Sequence, residues 1–314
     1  MYKSLRLHRW AVALFVLVLF TACRKEAARP AFIPSATPAV TGGSSDLVIT
    51  PAGLMPRSNV HYLPQDHFLS FENGRIKQFE KATNRLVADF GEVKVVPTQA
   101  PQASEAQGWI AYAYWTNTGA PISRFTTNWT VPSAPVDQGG GQTIFLFNGM
   151  QDGTTATSYI IQPVLQWGPS AAGGGNYWAV TSWFVTTTQA FFGDLITVKS
   201  GRGLRGVIKK EGGSGKTYNY SSSFQGLPGD ASLTVRKVPQ AFWAAETLES
   251  YGVTNPSTMY PPNTDIAMTG IQIQRGSKDV LIDWLTAQAV SGSAQKAVVV
   301  SDSNPGGVVD LYFR

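Results

Sequence analysis

Histidine and cysteine are the scarcest reactive side chains in this chain of 314 residues: there are three of the first and one of the second. The histidines are His8, His61 and His67, so nothing after residue 67 carries an imidazole. A Ser-His-Asp triad or a His-ligated zinc cannot be assembled from the long C-terminal part alone. His61 and His67 stand six apart with Pro64 between them, a spacing that matches no familiar metal-ligand pattern, and they read as surface histidines. Cys23 has no second cysteine to pair with, so stability must come from a packed core. Charged residues are also few, at 14%. Six of the 25 basic residues precede Asp46, against one of the 20 acidic ones (Glu26), so the rest of the chain is balanced. Nucleic-acid binding needs a clustered basic field, and none is visible. No glycine-rich phosphate loop follows a strand and opens a helix, which argues against a nucleotide. No metal and no other cofactor is expected.

Long apolar runs are missing apart from one, Trp10 to Phe20, which follows Lys3, Arg6, His8 and Arg9. It is too short to span a bilayer as a helix. Basic residues, a short apolar run and small residues behind it form an export signal. Leu19-Phe20-Thr21-Ala22-Cys23 resembles the end of a bacterial lipoprotein signal, in which the cysteine becomes the lipidated first residue. The expectation is a signal peptide over 1–22 and lipidation at Cys23. The protein would be lipid-anchored to a membrane of the bacterial cell envelope, facing outside the cytoplasm. Residues 23–45, rich in Pro, Ala, Ser, Thr and Gly, cannot bury enough surface to fold and read as a disordered tether.

What is abundant is glycine (31) and aromatic residues, including nine tryptophans. Short apolar runs separated by turn residues predict strands nearly throughout. Residues 46–97 read as a small β segment with strands at 68–72, 75–79 and 85–90. Asn73-Gly74 makes a tight hairpin turn there, and a helix over 76–86 is the alternative. Residues 98–107 form a linker. From 108 to 314, candidate strands run from Trp109–Trp115 to Val298–Val300, and include Leu195–Lys199 and Val280–Leu285. Gly139–Gly141, Gly173–Gly175, Gly212–Gly215 and Pro261-Pro262 punctuate them. Strands without intervening helices predict an all-β, antiparallel β-sandwich.

Two predicted strands carry chemistry. Tyr159–Trp167 places Gln162, Val164 and Gln166 on one face if it is regular. Trp243–Tyr251 carries Glu246 and Glu249 on opposite faces. An inward glutamate is desolvated and its pKa rises, which suits a general acid or base. A solvated glutamate on the outside of the sheet is the alternative.

Trp129-Thr130-Val131-Pro132 resembles the Trp-x-Val-Pro strand of the eqolisin (glutamic peptidase) family, and later elements follow in a similar order. Ile160-Ile161-Gln162, ending at Trp167, resembles the strand with that family's catalytic glutamine. Tyr177 with Ser182-Trp183 resembles its aromatic strand, and Ala245-Glu246 its strand with the catalytic glutamate. The resemblance spans about residues 109–255. It implies a concanavalin A-like sandwich of two curved sheets with Gln162 and Glu246 facing each other in a concave groove. Ser182 stands where the family has a glutamate and Phe145 where it has a tryptophan. In another register Phe242 takes the catalytic glutamate's place. A wider resemblance, over 46–255, to uncharacterised secreted microbial proteins groups Gln162, Gln166, Glu246 and Glu249 as a set.

Two main readings are open. In one, the chain is an extracytoplasmic glutamic-type endopeptidase acting on polypeptide, with Glu246 as general base and acid and Gln162 as oxyanion donor. Gln166, Trp167, Tyr177, Trp183 and Glu249 would then line the substrate. In the other, Trp167, Tyr177, Trp178 and Trp183 form a stacking platform for a glycan, as in a carbohydrate-binding module. A glycosidase would need two facing carboxylates, for which only Glu246 or Glu249 with Asp152 or Asp194 qualify. An inactive surface relative is the remaining possibility.

Overall fold

The computed structural model describes residues 46–93, 96–97, 107–153, 156–157, 159–227 and 231–314. The signal, Cys23 and the tether lie outside the described residues, as does the linker apart from Gln107. The described part is almost entirely β, and the expected sandwich is present.

Nine strands form the first sheet. Across it run Leu285–Gln288, Gln107–Thr116, Trp243–Tyr251, Thr143–Gln151, Ile160–Ser170, Gly173–Val185, Ala190–Phe192 and Val60–Tyr62. Ile196–Thr197 also pairs with Gly173–Val185. Eleven strands form the second sheet, centred on Asp265–Arg275, Ile122–Thr130, Gly203–Ser214 and Thr217–Phe224. Both are antiparallel except where the N-terminal segment joins them. Val60–Tyr62 runs parallel to Ala190–Phe192, and His67–Glu72 parallel to Leu233–Val238. The meander expected between residues 68 and 90 is His67–Glu72, Arg75–Glu80 and Leu86–Glu92, and it continues the second sheet. Asn73 and Gly74 both have positive φ, 53° and 75°, as a two-residue hairpin turn requires.

Burial shows why the two sheets differ in sequence. Thr217–Phe224 alternates exposed and buried positions, the mark of a strand with one wet face. Thr143–Gln151 and Trp243–Tyr251 are buried at every position. These central strands of the first sheet are covered on both sides. Ile144, Leu146, Leu165 and Leu248 point between the sheets, toward Phe125, Trp129 and Ile208 of the second. On the opposite face, Phe145, Phe147, Val164, Trp183 and Tyr251 form a second, smaller cluster. Each fully buried Leu or Phe contributes about 1.5–3 kcal/mol.

A separate two-stranded hairpin, Leu47–Thr50 with Gly53–Pro56, supplies Met55 and Ile49 to that second cluster. The hairpin pairs with neither large sheet. Sequence reading did not anticipate it, nor the strands Ala190–Phe192 and Gly307–Tyr312. The expected strand Leu195–Lys199 shrinks to Ile196–Thr197. Val280–Leu285 is mostly irregular: Val280 O accepts from Asn304 and Trp284 N donates to Asp302, so side chains satisfy backbone groups that a ladder would otherwise pair. Its apolar Ile282 and Trp284 are buried all the same.

Candidate active site

The Trp243–Tyr251 strand brings two carboxyl groups into the interior, and both are fully buried. Strand alternation sends them to opposite faces. Glu246 shares its face with Ala244 and Leu248, which belong to the core between the sheets. There Thr127 of the second sheet donates its hydroxyl to Glu246 Oε1. Asn148 lies opposite Glu246 on the neighbouring strand. Glu246 Oε2 and both polar atoms of the Asn148 side chain have no partner among the described residues. Burial holds the Glu246 carboxyl well above the usual carboxylate range, and the Thr127 hydrogen bond offsets only part of that.

Glu249 shares the other face with Tyr251, which belongs to the second cluster. The Tyr251 hydroxyl donates to Glu249 Oε1, the Trp109 indole is a second donor to the same carboxyl, and Oε2 has no partner among the described residues. Burial pushes the Glu249 pKa up to about 8, against the opposing pull of those two donors. The Tyr251 phenol is raised in turn, by burial first and then by the Glu249 charge. Trp109 reaches this face through a β-bulge. Leu248 faces Ala111 across the ladder while the next residue, Glu249, faces Trp109, so Ile110 is the extra residue. Ile110 and Ala111 both enter the inter-sheet core, and Trp109 is thereby turned to the far side.

Across the sheet, Glu249, Phe145 and Gln166 form one row. Two strand spacings separate the outer pair, roughly 10 Å between their Cα atoms. Gln166 Nε2 donates to Gly168 O (3.0 Å) and Gly173 O (2.9 Å), and its Oε1 accepts from Ser170 Oγ (3.0 Å). Gly174 leaves room for that amide: its φ is +103°, and a Cβ there would collide with Gln166 Nε2. Gln162 is on the same face, four residues along. Its Nε2 makes only a long contact with Pro51 O (3.5 Å), and its Oε1 has no partner among the described residues.

The expected convergence of Gln162 and Glu246 is therefore corrected. Gln162 sides with Val164 on the outer face, and Glu246 with Leu248 between the sheets. Glu249 is the carboxyl that shares a face with both glutamines. The reason is that both faces of this strand are covered, so an inward-pointing residue enters the inter-sheet core and not a groove. Neither glutamate is solvated. The stacking platform is corrected as well. Trp167 and Trp178 pack against each other in the inter-sheet core, ring centroids 5.4 Å apart, and Trp183 is sealed in the second cluster. Only Tyr177 reaches solvent, at 42% exposure. Tyr251 and Trp109 were missed as site residues. Tyr251 was legible in principle, because it stands two residues from Glu249 in the same strand; Trp109 was not, because a bulge sets its face.

The remaining candidates lie elsewhere. His61 is half-buried against Phe90 and Phe191, and burial lowers its pKa. His67 Nδ1 is 2.8 Å from Asp66. Asp194 accepts from Tyr62 and Gln65, and Asp152 from the Tyr159 N–H. A cleft of about 680 Å³ opens on the outer face of the second sheet, lined by Asn128, Thr130, Arg205 and Asp265 among others, and contains neither buried glutamate.

No protein-family model matches the chain, and no curated protein matches it. Among solved structures, the chain is similar to Scytalido-glutamic peptidase with a peptide-based transition state analogue, at 14% identity and a TM-score of 0.45, over 66% of this chain and 100% of that one. It is similar to SCP-B, an eqolisin-family peptidase in complex with the tripeptide Ala-Ile-His, at 14% identity and a TM-score of 0.43, over 66% and 100%. The CBM2 module of the evolved Dit of Lactobacillus casei BL23 phage J-1 matches at 15% identity and a TM-score of 0.26, over 50% and 60%.

Proposed function

We propose that the protein is a carboxyl-based peptide hydrolase whose proton-transfer group is Glu249, with Gln162 of the same sheet face as its partner amide. The observation that carries the reading is the Glu249 site: a fully buried carboxyl, raised to about 8, with one unpartnered oxygen, on the sheet face that holds both glutamines. A carboxyl tuned by its surroundings is what general acid–base chemistry uses. When ionised, Glu249 takes a proton from water as that water attacks the peptide carbonyl. The protonated carboxyl then gives the proton to the departing amine. The Gln162 amide, whose N–H makes only a long contact with Pro51 O, supplies the donor that stabilises the charge developing on the carbonyl oxygen, whereas Gln166 is held by Gly168 O and Gly173 O. No imidazole or metal is required, in keeping with a chain that has no histidine after His67.

The eqolisin resemblance implies a Glu/Gln pair in one groove. Glu249 fits that pair better than Glu246, because it shares a sheet face with Gln162 and Gln166 while Glu246 points between the sheets. A glycan platform has no comparable support, since three of its four rings are buried.

The same reading makes the protein an extracytoplasmic lipoprotein held at the cell envelope through Cys23, with polypeptide as substrate and no nucleic-acid partner. Cys23→Ser is expected to move it from the membrane fraction to the soluble fraction; unchanged fractionation removes the anchor from the proposal. For the chemistry, an unfolded protein substrate is incubated with the enzyme at acid to neutral pH once the Leu47–Pro56 hairpin has been released from the Glu249 face. Cleavage is expected, rising from acid toward neutral pH as the Glu249 carboxyl ionises and can act as base. Glu249→Gln should abolish it and Glu246→Gln should leave it. Cleavage lost in Glu246→Gln and kept in Glu249→Gln would reverse the assignment.

A further inference from the structure

The Glu249 face is closed by the chain itself. The Leu47–Pro56 hairpin lies over it without joining either large sheet. Its contacts are those a peptide ligand would make. Gly53 at the hairpin turn lies beside the Tyr251 hydroxyl, which donates to Glu249. Pro51 O faces Gln162 Nε2 at 3.5 Å. Ile49 O accepts from Ala171 N at 2.8 Å. Met55 is buried in the second cluster, while Leu47 and Leu54 on the hairpin's other side are 42% and 56% exposed.

The next residues of the chain differ from the hairpin. The single 3₁₀ turn Arg57–Asn59 has no buried residue, and Val60–Tyr62 is then locked into the first sheet. One ion pair, Arg57 with Asp46 at 3.2 Å, closes the base of the hairpin, and both side chains are more than half exposed. Such a pair adds little to stability. The chain thus holds a peptide-like segment seated on an apolar face that also carries Glu249, Gln162 and Gln166, joined to the strands that follow through one exposed turn.

We infer that residues 47–56 are an intramolecular occupant of the Glu249 groove, and that cutting the chain at the exposed Arg57-Ser58 bond releases them, together with the lipidation site proposed at Cys23, and opens the groove of the then unanchored sandwich to an extended polypeptide. Strands 60–62 and 67–92 stay in the sheets after such a cut. The consequence for hydrolysis rests on the proposed function; the occupancy itself does not.

The test uses the full chain with the recognition sequence of a site-specific protease in place of Arg57–Asn59. Hydrogen exchange is followed at the Ala171 amide, which Ile49 O protects. After cutting and gel filtration, Ala171 exchange is expected to rise at least tenfold. A synthetic peptide of residues 46–56 should restore protection saturably, and the same peptide with Met55→Asp should not. In the uncut chain, Met55→Asp alone should raise Ala171 exchange, which covers the case of a cut hairpin that stays bound. Ala171 protection unchanged by both the cut and Met55→Asp overturns the inference. Opening and rebinding without hydrolysis of any unfolded protein confirms the occupancy and removes the hydrolase reading instead. Full hydrolysis by the uncut chain, unaffected by added peptide, overturns the occupancy while leaving the hydrolase.

Discussion

Glu246 and Glu249 are the same residue type, three positions apart on one strand, and equally buried, yet their surroundings differ in kind. Glu246 lies between two sheets whose strands cannot separate without unfolding. Glu249 lies under a ten-residue hairpin that belongs to neither sheet. Glu246 has one hydroxyl partner, from the opposite sheet. Glu249 has two donors from its own sheet, Tyr251 and Trp109, and the position of Trp109 depends on a bulge. Burial alone therefore does not tell the two carboxyls apart. What separates the two is whether the covering layer can leave while the fold stays intact.

The comparison can be broken most directly through catalysis. With the hairpin released, Glu249→Gln is expected to lower peptide hydrolysis by about 10²–10⁴-fold, the usual contribution of a positioned acid or base. Glu246→Gln should change it less than tenfold, measured as kcat/KM on an unfolded protein substrate. Equal losses in the two variants would erase the distinction.

Stability responds in the opposite sense. Thr127→Val removes the only hydrogen bond to Glu246 among the described residues and leaves a buried carboxyl without a partner. The expected cost is about 1–3 kcal/mol, read from urea unfolding. Tyr251→Phe removes a donor from Glu249 in the same way, but the other donor, Trp109, remains, so a smaller loss is expected.

Both carboxyls bind their proton more tightly folded than unfolded, because burial raises both pKa values. Stability is therefore greatest below about pH 4.5, the ordinary glutamate value, and falls as pH rises through about 8 for Glu249. Each group contributes a slope on the order of 1 kcal/mol per pH unit in that window. Thermal melts across pH should show the decline, and Glu249→Gln should remove the part of it that ends near pH 8. A melting temperature that rises from pH 5 to 8 would contradict the burial of both groups in neutral form.

The smallest effect expected is from Trp109→Phe. Losing one donor to the ionised form should raise the Glu249 midpoint further, by less than a pH unit, with Glu246 unaffected. Carbon-13 NMR of labelled glutamate carboxyls would resolve the two.

Much of this architecture could be read from local pattern, because turns and alternation are short-range effects. Asn73-Gly74 specified its hairpin through positive φ. The absence of helical periodicity specified an all-β chain. The odd spacing of Glu246 and Glu249 placed them on opposite faces, as found. Which of those faces is which could not be read, because the strand is apolar on both sides and period two carries no sign. The second sheet decides one face, through Phe125, Thr127 and Trp129, and a hairpin about 200 residues upstream covers the other. The same holds for Trp167 and Trp178, whose rings look like a platform in sequence and are core once two sheets meet. Residue type and period determined that carboxyls would be carried on a central strand of a sandwich. Only contacts between residues far apart in the chain decided that Glu249, and not Glu246, lies beneath a hairpin that belongs to neither sheet.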